Sequence, residues 1–483
     1  MLLGALRNSV RLNAVPRLVS CHRVPSIPGL SSLRVQGSTL RSLHTAPHRT
    51  LKAYGRVREL PSSLFRGSRT LHWSRPNATQ VKEQQSLPIL PPPSVGRWLM
   101  LSSVLVLGII VVGGVTRLTE SGLSITEWRP ITGILPPLSN AEWMVEFDKY
   151  KATPEFKLLN QSMTLEDFKF IFYMEWGHRI LGRLIGVVFV GPLAYFAIRK
   201  KIPKSLTLKL SGLAVLIGAQ GFLGWYMVQS GLEDSVMETP GAVPRVSQYR
   251  LAAHLGMAFV LYLGMFGAGI AAIKDWKYAH GAPWSGYTGK LSEAVKNPIF
   301  RSFSRQSWAL TGLVLLTAIS GAFVAGLDAG LLYNEFPLMG GRLAPPTDEL
   351  FSPEYAKNPD KSDKWWRNLF ENPTTVQFDH RVLATTTYFA TALLFARTFK
   401  PAVRAALPPL TRVTTMAAFA MANIQVALGI STLLYLVPVP LAAAHQAGSV
   451  MLLSAVVHIL ISMRSPSKAA RTLRHLWMQN RRL

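Results

Sequence analysis

The sequence predicts an all-α integral membrane protein whose eight transmembrane helices form two repeated four-helix bundles. Three observations lead there: eight apolar runs long enough to cross a bilayer, a histidine at the start of every second run, and a likeness between the two halves of the chain. Hydrophobic residues make up 49% of the 483, and mean hydropathy is +0.22. That composition excludes a disordered chain. A spanning helix needs roughly 20 mostly apolar residues, and eight of them leave no room for a large soluble domain.

The first run, 98–116, is the clearest, because it carries no charge between Trp98 and Arg117. The second, 178–198, and the sixth, 379–397, are weaker, since His178-Arg179 and His380-Arg381 stand at their starts. The third, fourth and fifth fall at 207–229, 248–273 and 306–327, and the last two at 411–434 and 441–463. Residues 1–80 read separately, as a mitochondrial transit peptide and linker. The first 75 residues hold 13 Lys or Arg and a single acid, Glu59, with the basic residues spread and not blocked. Arg-rich, Ser-rich and acid-poor is the composition of such a presequence, and no apolar run there is long enough for a secretory signal.

The single cysteine, Cys21, lies inside that presequence. A mature chain lacking cysteine has no intrachain disulfide, no thiolate-ligated haem and no C-x-x-C-H attachment site. Charge then sets the topology. The short loops 199–206 and 397–412 are basic, as is the C-terminal tail 466–483, whereas 117–177, 230–247 and 328–378 hold 20 of the 25 acids. Counting basic residues near span ends places the basic loops and both termini in the mitochondrial matrix. The formal charge of +27 is accounted for by presequence and matrix loops, so no nucleic-acid partner is expected; the lipid bilayer is.

The halves match around the histidines. Glu175-Trp-Gly-His178-Arg179 aligns with Gln377-Phe-Asp-His380-Arg381, and Leu251-Ala-Ala-His254 aligns more loosely with Ala442-Ala-Ala-His445. Alternate spans run the same way, so all four histidines face one side of the membrane. This gives an N-terminal bundle over 97–275 and a C-terminal bundle over 305–465, each with one histidine pair on its second and fourth helices. An intramembrane histidine is costly and marks function, and bundle cores hold cofactors between facing helices. The pairs His178/His254 and His380/His445 therefore suggest two axially ligated haem irons. Copper stays open, with Met174 and Met257 nearby in sequence. Glycines such as Gly113 and Gly224 allow a ring or a backbone to approach. His280, His458 and His475 lack repeat partners and read as structural or solvated. Arg179, Arg381 and Arg250 are candidate donors to haem propionates, although neighbours of a ligand also snorkel to the interface.

One asymmetry is informative. Glu175 stands three residues before His178, where the second half has Gln377 before His380. Residues at i and i+3 share a helix face. A carboxylate exchanges protons and an amide does not, so the N-terminal bundle reads as the reactive one. The alternative is a helix-terminal acid favoured by the macrodipole.

The stretches GGVTRLTESGLSITEWRPITGILPP, EWGHRILGR, YRLAAHLGMA, FDHR and AAAHQAGS closely resemble the mitochondrial haem A synthase family, over about 97–463. The resemblance implies an inner-membrane oxidoreductase that converts the C8 methyl of haem O to the formyl of haem A, for cytochrome c oxidase biogenesis. It also implies that Glu175 is the catalytic carboxylate, that His178 and His254 ligate the substrate haem, and that His380 and His445 ligate a resident haem b. Bacterial relatives often carry a cysteine pair in an outer loop. This mature chain has none, so the resemblance points to a matrix ferredoxin-type electron donor. A homo-oligomer is compatible with all of this. Two other classes fit the histidines: a bis-histidine electron-transfer cytochrome b, which leaves the Glu175/Gln377 difference without purpose, and a haem chaperone for the terminal oxidase.

Overall fold

A computed structural model describes residues 87–130, 132–238, 243–287 and 291–480. The expected transit peptide and linker, 1–80, lie outside them. The first long helix, α1 (Pro93–Leu118), opens on a proline, whose fixed φ suits the first helical position. It ends with Arg117 in its last turn, where a cation complements the dipole. Two short helices follow, α2 (Asn140–Lys151) and α3 (Pro154–Leu158), capped by the hydroxyls of Ser139 and Thr153.

The next helix, α4, departs from the sequence expectation. It runs Leu165–Ile198, starting thirteen residues before the apolar run at 178. Thr164 and Asp167 form a reciprocal capping box that starts it early. Its 34 residues span roughly 50 Å at 1.5 Å per residue, well beyond a hydrocarbon core of about 30 Å. The extra turns are therefore buried by protein. Phe168, Ile171 and Phe172 pack with Trp143, Phe147 and Tyr150 of α2 in a small aromatic core of their own. The charges in Leu165–Trp176 hide this segment from a hydropathy reading. His178 consequently sits well inside its helix and not at its start.

Then come α5 (Lys204–Leu232), α6 (Gln248–Ala279), α7 (Pro298–Gly326), α8 (Pro373–Arg397), α9 (Pro409–Leu434), α10 (Val439–Met463) and α11 (Lys468–Asn480). The basic C-terminal tail is thus helical over most of its length. Among the described residues seven helices are long and apolar enough to cross a membrane: α1, α4, α5, α6, α7, α9 and α10. The eighth long helix, α8, has 25 residues but spends many of them on Asp379, His380, Arg381 and threonines.

The main core joins both halves of the chain. Val95 and Leu99 of α1, Met265 of α6, Phe303 of α7, and Val450 and Leu453 of α10 are all essentially inaccessible. Tyr262 and Ser454 share a 2.7 Å hydrogen bond between α6 and α10. By contrast α5 buries only Leu210 and Gly231.

Candidate functional site

The four expected histidines share one local construction. Each imidazole lies against a glycine of the long helix that precedes its own. A Cβ on Gly113 of α1 would come 2.9 Å from Cε1 of His178, and one on Gly224 of α5 would come 3.2 Å from His254. In the second half the same holds for Gly321 of α7 against His380, at 3.3 Å, and Gly429 of α9 against His445, at 2.9 Å. At Gly113 and Gly429 an added methyl would force something to shift, and at Gly224 and Gly321 it would crowd the ring.

The fourth helix of each half adds a second repeated contact. Gln220 Nε2 donates to the carbonyl of His254 at 3.1 Å, and Gln425 Nε2 donates to that of His445 at 3.0 Å. Gln220 and Gly224 are one turn apart, as are Gln425 and Gly429. The shared spacing Gln-x-x-x-Gly was present in the sequence as a signal, yet only Gly224 of the four was singled out there. Gly321, Gly429, Gln220 and Gln425 are therefore additions from the structure.

His178 and His254 lie within electrostatic range of each other, and so do His380 and His445. The Nδ1 atoms of His178, His254 and His445 are buried with no hydrogen-bond partner, whereas Nδ1 of His380 meets Ser320 Oγ at 2.7 Å. Buried polar atoms without partners are rare in native proteins. Among the described residues no three His, Cys, Asp or Glu side chains converge as a site for a bare ion. Two imidazoles per site suit an iron whose other four ligands come from a macrocycle, and that donor set fits haem better than copper.

Glu175 is 3% exposed and fully engaged. Its Oε2 accepts from Ser124 Oγ and from the Ile125 amide, both at 2.8 Å, and its Oε1 accepts from Arg179 at 2.6 Å. Arg179 and Arg381, the candidate propionate donors, both hydrogen-bond to backbone carbonyls of the loops after α1 and α7, and Nε of Arg381 is buried without a partner. Arg179 follows Glu175 by one helical turn, so its guanidinium falls beside that carboxylate and reaches on to the carbonyls of Ile125 and Glu127. Arg183 and Trp176 extend the same attachment to Arg129, Pro130 and Ile134. The loop after α1 is thereby laid along α4, over Glu175.

The second half repeats this with a neutral group. Gln377, also 3% exposed, donates to Ala329 O at 2.9 Å, while Arg381 donates to Tyr333 and Leu338 carbonyls of the loop after α7. Arg250 is likewise committed, donating to Tyr226 O at 2.7 Å and stacking over that ring. The structure also brings in Glu155 of α3, 4% exposed, which the sequence reading passed over because it sits in a loop-like, polar stretch. Burial, the largest influence, pushes its pKa up to about 8, with Glu120 and Glu175 adding to the effect.

Fold and site together define a polytopic helical membrane protein whose four matched histidines each lie against a glycine of the preceding long helix. The chain matches the COX15-CtaA family, described as a cytochrome oxidase assembly protein, over residues 96–457, and it belongs to that family. It is 45% identical over 380 residues to Heme A synthase COX15 of Saccharomyces cerevisiae, covering 79% of this chain and 77% of that one. The human Heme A synthase COX15 is 45% identical over 374 residues, 77% of this chain and 83% of its own. A Heme A synthase-mitochondrial ferredoxin fusion protein of Schizosaccharomyces pombe is 47% identical over 372 residues, 77% of this chain and 60% of the fusion.

Proposed function

We propose that this protein is a haem A synthase, an oxidoreductase of the mitochondrial inner membrane that oxidises the C8 methyl of haem O to a formyl group. The observation that carries the reading is the Glu175/Gln377 difference within otherwise matched surroundings. A pair of permanent electron-transfer haems gives no reason for one site to keep a buried carboxylate and the other an amide.

In this reading all eight long helices span the bilayer, as an N-terminal bundle over 97–275 and a C-terminal bundle over 305–465. Residues 466–483 and the N-terminus lie on the matrix side. The repeated Gly–His and Gln–carbonyl contacts support that division. His178 and His254 hold the substrate haem, and His380 and His445 hold a resident haem b. When bound, haem supplies a redox-active iron. Ser320 Oγ gives its proton to Thr317 O and lies 2.7 Å from His380 Nδ1, an arrangement that would leave Nε2 for a metal.

Glu175 manages protons beside the substrate. Its Oε1 is neutralised by Arg179, and Oε2 is oriented by Ser124 and Ile125, so the carboxylate is held in place rather than free to swing. Residues 124–130, which it helps to anchor, lie along α4 beside the carboxylate. The ferredoxin fused to the fission-yeast relative supports a matrix ferredoxin-type donor.

The test is chromatography of haems extracted from the purified protein beside its Glu175→Gln variant. The expected result is haem B with haem O and its oxidised products in the parent, and loss of those products alone in the variant. Haem B alone in both proteins overturns the synthase reading in favour of an electron-transfer cytochrome.

A further inference from the structure

We infer that Ser320 is the positioning residue that makes one haem site permanent, and that its apolar counterpart Val112 leaves the other site free to exchange its haem. The inference rests on the synthase reading above. There His380 and His445 hold a resident haem b, while His178 and His254 hold a substrate that must enter and leave. A protein whose substrate and cofactor are both haems has to grip them unequally, yet all four ligands are histidines.

Most of the surroundings match between the two sites. Each imidazole rests against a glycine of the preceding long helix. The second histidine of each pair is held alike, with Gln220 on the carbonyl of His254, Gln425 on that of His445, and Nδ1 buried and unpartnered in both. The first histidines differ. Nδ1 of His178 is buried without a partner, whereas Nδ1 of His380 lies 2.7 Å from Ser320 Oγ. A serine hydroxyl has one proton, and that of Ser320 goes to Thr317 O at 2.8 Å. Ser320 therefore accepts from the ring, and His380 donates from Nδ1.

The residues around this contact change in the same sense. Ser320 precedes Gly321, the glycine against His380, and Val112 precedes Gly113, the glycine against His178. Three residues earlier stand Thr317 in α7 and Ile109 in α1; seven residues after the histidines stand Thr387 in α8 and Ile185 in α4. Thr317 and Thr387 share a 2.8 Å hydrogen bond that ties α7 to α8. Ile109 instead packs toward α4, where a Cβ on Gly182 would meet its Cδ1 at 3.5 Å, and Ile185 belongs to the apolar core. Three hydroxyls in the second half thus occupy the places of three aliphatic side chains in the first.

A hydrogen bond from the second ring nitrogen fixes the tautomer and orientation of a metal-ligating imidazole and raises its basicity. Losing such a partner costs about 10–100-fold in metal affinity. Of the two sites, only the one at His380 carries this bond. A more basic axial ligand also favours ferric iron, so the same bond holds down the reduction potential of the resident haem.

The experiment uses the full-length purified protein beside Ser320→Ala, Ser320→Thr and Val112→Ser. Transfer of haem B to added apomyoglobin is followed by absorbance, and the midpoint potential by redox titration. Ser320→Ala is expected to release haem B at least tenfold faster and to raise its midpoint potential. Ser320→Thr, which keeps a hydroxyl, should stay near the parent in both. Val112→Ser should retain more haem O through purification. Unchanged release and potential in Ser320→Ala overturn the inference and leave the haem reading intact. Faster release with an unchanged potential assigns Ser320 to packing alone and overturns it as well. Unchanged haem O retention in Val112→Ser overturns the part given to Val112. A parent protein that purifies without haem B overturns the haem-site reading itself, and this inference with it.

Discussion

A Cβ atom on Gly113 would stand 2.9 Å from Cε1 of His178, nearer than side chains tolerate, so this imidazole occupies space that the preceding helix gives up for it. The same relationship joins Gly429 to His445 at 2.9 Å. Adding one methyl group at such a place overpacks the slot, at a cost of about 1–3 kcal/mol if the ring stays. Rotating away is the easier response, and it removes the ligand. Gly429→Ala should therefore lower the content of bound haem B, and Gly113→Ala should lower retained haem O while sparing haem B. Gly108→Ala, on the same helix as Gly113 with nothing within 4 Å of its added Cβ, is the control. Haem content per protein after purification reads all three. Equal loss in the control would mean that helix packing, and not the imidazole slot, is at stake.

Arg179 and Arg381 occupy equivalent places but face different partners. Removing Arg179 leaves the buried Glu175 carboxylate without its cation, and breaking a buried pair in this way costs roughly 3–5 kcal/mol. Removing Arg381 forfeits only hydrogen bonds to loop carbonyls and a long contact to the Gln377 amide. Arg179→Leu should lower the thermal unfolding midpoint in detergent clearly more than Arg381→Leu. The double variant Glu175→Gln with Arg179→Leu should recover much of the difference. Equal midpoints for the two single variants would show that Glu175 does not depend on the pair.

The bridge from Arg117 and Arg245 to Asp328 makes the opposite case. It ties the end of α1, at 2.8 Å, and the segment before α6, at 3.2 Å, to the turn after α7, but the Asp328 side chain is 44% exposed. Exposed pairs contribute about 0–1 kcal/mol. Asp328→Ala should therefore leave the unfolding midpoint nearly unchanged, and a large drop would reveal that this turn is a main brace between the halves.

What the sequence made legible follows from the physics of each signal. Long apolar runs and a repeated His-Arg are one-dimensional patterns, so seven of the eight expected spans and the Glu175/Gln377 contrast could be read directly. Residues 165–177 could not, because Glu166, Asp167 and Lys169 break the apolar pattern of a helix that is buried by α2 and not by lipid. The partners of Arg179 were not legible, because Ile125 and Glu127 reach it only through the fold. Glu155 was invisible for a similar reason: its burial depends on Tyr150 and Phe168 meeting across two helices, and no local spacing encodes that. Gly321 and Gln425 were readable only once Gly113, Gly224 and Gln220 had shown what to look for.

Glu155 also makes stability depend on pH, with a definite sign. Its pKa is raised, from 4.5 when solvated to about 8 in the fold. Between those values the folded protein holds a proton that the unfolded chain has released. Stability falls with rising pH wherever the folded state binds more protons. The contribution of this group is thus fully present below about pH 4.5, declines through the interval, and is gone above about pH 8. Glu155→Gln carries no such proton and should flatten that part of the profile. Comparing unfolding midpoints of the two proteins at a series of pH values isolates the effect, since other titrating groups are common to both. Parallel declines would assign the titration to another residue and leave Glu155 ionised in the fold.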